Sequence, residues 1–327
     1  MATYIALVVL GTVFTLPFFW MLSTSLKPAS RIQQWPPDIM PMMPVQAKVD
    51  GQSREVFRDK SGAEVALIER LKGGMATVKP LGDDKAAIRT VSGDDLAAKV
   101  RPGCEWSNYS RGLVFIPFFQ QLRNTLIISI CCVIGTILSC SLVAYGLSKI
   151  DWKGRNTLFV IMLSTMMLPA QVTMIPVFAI FVKLHWIDTF LPLIVPSFLG
   201  TPFFIFLLRQ FFLGIPKELS EAARLDGCSE FAIYRRVIMP LSKPALATVG
   251  LFTFMGAWNE FMGPLIYLLD ESKYTLSLGL AMFTGQYGNE YGMLMAVSAV
   301  VTIPIIVLFF FTQRTFIQGM TMSGIKG

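Results

Sequence analysis

Long runs of apolar residues dominate this sequence and restrict it to folds that a lipid bilayer can surround. Of its 327 residues, 54% are hydrophobic and 15% are charged, whereas soluble domains carry roughly 25% charge. A helix that crosses the hydrocarbon core needs about 20 consecutive apolar residues, and several runs reach that length. We therefore predict an all-α polytopic membrane protein.

Six apolar runs are long enough to span a membrane. Prolines interrupt several of them, and transmembrane helices tolerate proline because neighbouring groups satisfy the freed backbone atoms. These prolines predict kinked helices packed around a path. The first run lacks the basic start of a signal peptide, so we expect it to be retained. The predicted spans are 3–26, 123–148, 157–182, 189–212, 240–268 and 293–314.

The basic residues of the short loops predict the orientation. Loops 149–156 and 209–239 hold three and five Lys or Arg residues, whereas loops 183–188 and 269–292 hold one lysine each. Cytoplasmic loops are enriched in Lys and Arg, so we expect the first two loops and both termini in the cytoplasm. Segment 27–122 is then extracytoplasmic. Its own basic residues do not prevent this, because long segments translocate largely regardless of charge.

Several functional classes are disfavoured by the composition. The net charge of +7 does not indicate nucleic-acid binding, because no basic tract is interleaved with aromatic residues. Five scattered cysteines and a single histidine, His185, predict no disulfide, no metal site and no histidine-based triad. A membrane-embedded enzyme would need nucleophiles, acid–base pairs or metal ligands in its spans. A passive channel or sensor, reading a ligand through residues 46–103, is a further alternative.

Residues 46–103 have the composition of a soluble domain. Short β-type runs alternate there with glycine-containing turns, which predicts a small β-rich domain near the lower size limit for independent folding. A partly ordered loop is the alternative. The predicted strands are 55–57, 64–68, 75–78, 87–91 and 99–100. The expected division of the chain is a first helix in 1–30, the β-rich domain in 46–103, an interfacial segment in 104–122, and a core in 123–327.

The loop at 217–240 has a distinctive local pattern. Residues 218–225 are helix formers with an early glutamate, which favours the helix dipole. Gly227 permits a left-handed turn, and Ser229 can cap a second helix over 230–237. Pro240 is then expected to begin the next span. The two helices should lie along the membrane face as a rigid body suited to a groove on a partner.

The residues of this loop resemble a known signature. E-A-A-x-x-D-G at 221–227, followed by Val-Ile-Met-Pro at 237–240, resembles the coupling loop of binding-protein-dependent ABC importer permeases, with Cys228 where alanine is usual. Trp-Asn-Glu-Phe at 258–261 is similar to a segment of the carbohydrate branch, in particular the smaller permease of maltose importers. In this comparison, residues 46–103 form an insertion between the first two helices.

The resemblance implies the type I importer permease fold with six transmembrane helices in the bacterial inner membrane. It implies that this chain pairs with a second permease, commonly a different chain in this family, contacts an ATPase dimer, and receives solute from an extracytoplasmic binding protein. ATP and Mg²⁺ would be bound by the ATPase, because this chain lacks a G-x-x-x-x-G-K-[ST] loop. No cofactor is expected in this chain.

Functional residues follow partly from the resemblance and partly from polarity. The resemblance makes Glu221 and Gly227 central to coupling, supported by Ala222, Ala223 and Asp226, with Pro240 closing the motif. Polar residues in or near apolar spans usually face a cavity or pair internally. Both roles stay open for the candidate path residues, which are Trp258, Asn259, Glu260 and Gln171.

Overall fold

A computed structural model of the protein describes residues 1–71, 74–81, 87–285 and 290–324. The chain divides into two compact units. The first comprises Met1–Phe115 with Phe283–Ala299, and the second comprises Ile116–Met282 with Val300–Gly327.

The first unit begins with the apolar helix α1 (Ala2–Ser25), whose side chains are mostly exposed. After the short helix α2 (Ala29–Ile32) comes the β-rich segment, defined here as residues 42–102, and then α3 (Ser107–Phe115). Asn108 of α3 donates two 2.9 Å hydrogen bonds from its amide nitrogen, to the carbonyl oxygens of Ser25 and Lys27. These bonds hold α3 against the end of α1.

The β-rich segment is an antiparallel meander whose first and last strands pair with each other. Its strands are β1 (Met42–Pro44), β2 (Gln46–Val49), β3 (Gln52–Arg58), β4 (Glu64–Arg70), β5 (Met75–Pro80), β6 (Arg89–Ser92), β7 (Ala97–Ala98) and β8 (Val100–Pro102). Strands β2 to β6 pair antiparallel in sequence order, and β7 returns to pair with β3 after a 3₁₀ turn at Gly93–Asp95. Strand β1 pairs with β8, with Met43 opposite Arg101.

A small apolar core fills this segment. Phe57, Val65 and Val78 are buried together, because alternate residues of β3, β4 and β5 point to one face. The prediction of a β-rich region is thereby confirmed. Its strand limits differ: the run predicted at 87–91 pairs only from Arg89 onward.

The second unit is helical. Its α-helices are α4 (Phe118–Ser148), α5 (Arg155–Thr165), α6 (Ala170–Lys183), α7 (Leu191–Ile194), α8 (Pro202–Leu213), α9 (Lys217–Leu225), α10 (Glu230–Ile233), α11 (Met239–Leu241), α12 (Lys243–Asn259), α13 (Met262–Tyr267) and α14 (Leu276–Ala281). Helix α15 (Tyr291–Gly324) follows and is shared between the units. Helix α4 packs against α8 and α12 at the centre of this unit.

Four helices among the described residues are long and apolar enough to cross a membrane. They are Ala2–Ser25, Phe118–Ser148, Leu191–Leu213 and Tyr291–Gln313. A fifth results if Glu230–Leu241 and Lys243–Asn259, which meet at an angle of 80°, are counted as one broken span. Six spans therefore stay a prediction.

Several predicted spans have different limits in the structure. The second begins at Phe118, directly after Pro117, so residues 118–122 of the predicted interfacial segment belong to α4, and its separate helix covers Ser107–Phe115. The third is split into α5 and α6, with Pro169 at the start of α6. The prediction that Pro240 begins the fifth span is wrong. Ser242 has non-helical angles, and α12 starts at Lys243 with Pro244 in its first turn.

The predicted fifth span is also interrupted near its far end. Helix α12 stops at Asn259, because the backbone of Glu260 is extended, with φ −63° and ψ 123°. The short helix α13 then begins at Met262. Broken helices of this kind are typical of transporter spans, where irregular backbone lines a cavity or is buried in protein.

A helical hairpin as the candidate functional site

The candidate site is the 217–241 hairpin, in which α9, α10 and α11 are joined by an elbow. Gly227 forms the elbow with φ +78°, a conformation that costs a residue with a side chain roughly 1–2 kcal/mol. The hydroxyl of Ser229 accepts a 3.3 Å hydrogen bond from the amide of Ala232 and caps α10. The predicted first helix, glycine turn and serine cap are thus confirmed.

The second helix differs from its prediction. Only Glu230–Ile233 is α-helical, and Tyr234–Ile238 continues as a π-helical turn before α11. Single π-helical turns inside helices are frequent at functional sites. The extra residue in this turn could not be predicted from the run of apolar and basic residues at 233–238.

One face of the hairpin is anchored in the apolar core of the second unit. Ile233 and Ile238 are fully buried and belong to one cluster with Leu208 and Phe212 of α8. Ala223 of α9 is half-buried against the same cluster. Because cores pack at the density of organic crystals, this anchoring makes the hairpin a stiff projection from the helical unit.

The opposite face is exposed and partly apolar. Leu225 is 90% exposed and Phe231 is 64% exposed. Glu221 lies on the same face of α9 as Leu225, four residues earlier, and is also exposed. The remaining predicted coupling residues Ala222, Asp226, Gly227 and Pro240 are exposed as well. This hairpin therefore presents a surface that combines an acidic group with large apolar side chains.

A polar network joins the hairpin to α4, and the sequence did not predict it. The hydroxyl of Tyr145 in α4 donates a 2.6 Å hydrogen bond to Oε2 of Glu230. Arg224 of α9 donates a 2.7 Å bond from Nε to Oε1 of the same carboxylate. A second link joins the hydroxyls of Ser141 and Tyr234, 2.7 Å apart. The acid and base at 224 and 230 were visible in the sequence, but their tyrosine partner lies 85 residues away.

Three of the four candidate path residues lie together at the break after α12. Trp258 is 2% exposed and stacks on Phe254, with ring centroids 5.4 Å apart. Asn259 and Glu260 are exposed. The amide of Asn259 donates to the carbonyl of Met255 at 2.8 Å. A carboxylate oxygen of Glu260 accepts the amide of Gly263 at 2.9 Å.

These contacts give Glu260 a structural task, namely satisfying a free amide in the first turn of α13. The indole nitrogen of Trp258 has no hydrogen-bond partner among the described residues. Gln171, the fourth candidate, lies exposed in the first turn of α6. Among the described residues, no group of three or more His, Cys, Asp or Glu side chains could hold a metal ion.

A second polar cluster ties together two loops of the helical unit. Asp188 accepts the amides of Leu269 and Asp270, both at 3.0 Å, and the ammonium of Lys273 at 2.6 Å. The hydrogen bond from Lys273, followed by those from the two amides, lowers the pKa of Asp188 to about 2. This carboxylate is therefore ionised at all physiological pH values.

The apolar helices, the span broken at Glu260 and the anchored hairpin define a polytopic membrane protein of the transporter class. The protein family described as "Binding-protein-dependent transport system inner membrane component" matches residues 125–321. The chain belongs to this family. It is the membrane permease subunit of an importer whose ATP is hydrolysed by a separate ATPase subunit.

Two named permeases are similar to this chain over about two thirds of its length. The arabinooligosaccharides transport system permease protein AraQ of Bacillus subtilis is 40% identical over 210 residues, covering 64% of this chain and 74% of the relative. The trehalose/maltose transport system permease protein MalG of Thermococcus litoralis is 34% identical over 213 residues, covering 64% and 76%.

A solved structure resembles almost the whole chain. It is a bacterial ABC transporter involved in the import of the acidic polysaccharide alginate, with a TM-score of 0.66 and 21% identity. The match covers 96% of this chain and 94% of that one. At this identity the likeness concerns the fold alone, which is the type I importer permease fold.

Proposed function

We propose that this permease imports a sugar and that its 217–241 hairpin is the contact through which the ATPase drives it. The observation that carries the coupling role is the exposed face of Glu221, Leu225 and Phe231 on a hairpin anchored by a buried core. Large apolar side chains that a short polar helix leaves in water indicate a protein partner.

The direction of the hairpin supports the same role. The segment Glu230–Leu241 meets α12 at 80°, so the hairpin runs across the end of the helix that follows it. A partner pushing on α9 would act on a body that is continuous with α12. Nucleotide-driven closure of the ATPase would thereby bias a two-state arrangement of the transmembrane helices.

The coupling role is tested by a charge reversal in the exposed face. In the Glu221→Lys variant we expect the ATPase to be lost during purification of the complex. The substitution removes a carboxylate acceptor and places a positive charge at the contact. Glu271→Lys is the matched control, since Glu271 is also exposed but belongs to a different loop. Full ATPase recovery with Glu221→Lys would reject the hairpin as the contact.

The sugar substrate is proposed from the relatives. Their names specify arabinooligosaccharides, trehalose or maltose, and diacetylchitobiose in the Streptomyces coelicolor relative DasC. Trp258, Asn259 and Glu260 at the broken span and Gln171 in α6 are the proposed path residues. Uptake should be measured against a panel of oligosaccharides, amino acids and inorganic ions. Uptake of an amino acid or ion, with none of any sugar, would overturn the assignment.

The topology proposed for this function has six spans, both termini in the cytoplasm of the bacterial cell, and residues 27–122 outside. The second permease is proposed to be a different chain, and the other partners are an ATPase dimer and an extracytoplasmic binding protein. A cysteine placed at Ser61, in the turn between β3 and β4, should react with an impermeant maleimide added to intact spheroplasts. Labelling only after the membrane is opened would reverse the orientation.

A further inference from the structure

The Tyr145–Glu230 hydrogen bond lies where the exposed hairpin meets the central helix of the transmembrane core. We propose that Tyr145 and Glu230 are positioning residues that transmit movement of the 217–241 hairpin to α4. This inference rests on the proposed coupling function and names the joint on which that function depends.

Glu230 is the shared acceptor of two elements with different tasks. One of its carboxylate oxygens accepts from Arg224 of α9, the helix that carries Glu221 and Leu225. Its other oxygen accepts from Tyr145, three residues before the end of α4. Hydrogen bonds to ionised groups are roughly twice as strong as neutral ones. A displacement of α9 must therefore either break such a bond or move the end of α4.

The side chains around the Tyr145–Glu230 hydrogen bond restrict how the hairpin can move against α4. Tyr145 is 5% exposed and Tyr234 is 6% exposed, and their rings meet edge to face with centroids 5.4 Å apart. The hydroxyl of Tyr234 is bonded in turn to Ser141, one helical turn earlier in α4. Two tyrosines thus fasten the same hairpin to the same face of α4, one from each side of the contact.

The end of α4 is held by further polar contacts within this unit. Arg209 of α8 donates from Nε to the carbonyl of Leu147 at 3.0 Å. Lys149 donates to the carbonyl of Ile215, just before the hairpin, at 2.7 Å. These bonds attach α4 to the chain that enters the hairpin, whereas Tyr145–Glu230 attaches it beyond the elbow. The Ser141–Tyr234 contact also lies beyond the elbow, and Glu230 adds a direct link from α4 to α9 through Arg224.

The experiment uses the assembled transporter with its ATPase subunits and needs no knowledge of the solute. Spin labels are introduced as unnatural amino acids at Val143 of α4 and Arg236 of the π-helical turn, both exposed, so the native cysteines stay in place. Double electron–electron resonance then gives their separation without nucleotide and after trapping with MgATP and orthovanadate. We expect one unchanged separation in the parent protein, because hairpin and helix move as one body.

The variants test whether the Tyr145–Glu230 hydrogen bond makes the hairpin and α4 move together. In Tyr145→Phe, which keeps the ring contact with Tyr234, we expect a second, displaced separation after trapping. The ratio of native to displaced population should fall about tenfold, as expected for one hydrogen bond to a charged group. Glu230→Ala should behave in the same way, whereas Glu230→Gln keeps an acceptor for Tyr145 and should preserve the native separation. Tyr267→Phe in α13 is the control for loss of a tyrosine hydroxyl elsewhere in the unit.

Two results would overturn this proposal. One is a label separation that changes on trapping in the parent protein. The other is a Tyr145→Phe protein with the same separations as the parent, both without nucleotide and after trapping. Failure of the proposed coupling function has a different signature. In that case Glu221→Lys retains the ATPase and traps vanadate normally, whatever the labels at 143 and 236 report.

Discussion

The 217–241 hairpin and the β-rich segment 42–102 are of different kinds, although each is a chain excursion between apolar helices. The hairpin has no core of its own and is ordered by Ile233 and Ile238 in the cluster of the helical unit. The β-rich segment buries Phe57, Val65 and Val78 against each other. The hairpin lies within the family match at 125–321, and the β-rich segment lies outside it.

This difference separates a part that depends on the transport core from a part that is complete in itself. The β1–β8 pairing places both ends of the β-rich segment side by side, so the segment can be inserted with little change to the flanking chain. A domain with its own core and adjacent ends is the kind of insertion that proteins tolerate. The hairpin has neither property, and changes in it should reach the transport function directly.

The largest contrast is expected between two glycines with the same backbone geometry. Gly227 has φ +78° and Gly62 has φ +83°, and a Cβ at either would meet nothing within 4 Å. Valine at either position therefore imposes a similar backbone strain. Gly227→Val should abolish uptake while the protein still inserts in the membrane, because it redirects α10. Gly62→Val should leave uptake near the parent rate.

Uptake assays on vesicles with matched amounts of permease measure this contrast. Equal loss of uptake in both variants would mean that the β-rich segment is part of the transport core. Equal retention would remove the elbow from the coupling mechanism.

A second contrast compares two buried phenylalanines. Phe57 is 5% exposed in the β-rich core, and Phe212 is 0% exposed beneath the hairpin. Each change to alanine should cost about 3–5 kcal/mol of stability. Phe57→Ala should make the β-rich segment sensitive to protease while the ATPase still copurifies. Phe212→Ala should weaken ATPase recovery, and loss of the ATPase from Phe57→Ala would break the comparison.

The two regions also differ in how far the sequence could predict them. The elbow at Gly227 and the cap at Ser229 follow from local chemistry, so their geometry was predictable. The Tyr145–Glu230 bond joins residues far apart in the chain, and no local pattern specifies it. The limits of α12 were mispredicted because the apolar run was extended through Ser242-Lys243 and Asn259-Glu260, whereas the backbone changes direction at Ser242 and at Glu260.

The smallest effect is expected from a carboxylate in the turn of the β-rich segment. Asp59 accepts hydrogen bonds from the hydroxyl and amide of Ser61 and from the amide of Ala63. The side-chain hydrogen bond from Ser61 is the main reason that the pKa of Asp59 is lowered. The ionised form is thus favoured by folding, and its stabilisation is complete above the unfolded pKa of about 3.9.

That stabilisation is lost as the pH falls from about 4 through the lower folded pKa. Asp59→Asn should therefore be slightly less stable than the parent at pH 6, and the difference should disappear below the folded pKa. Thermal unfolding of the strands, followed by circular dichroism in detergent between pH 6 and pH 2.5, measures it. Because Asp59 lies in the self-contained segment, ATPase copurification at pH 6 should be the same for both proteins. A change in copurification from so small a perturbation would show that the β-rich segment is coupled to the transport core after all.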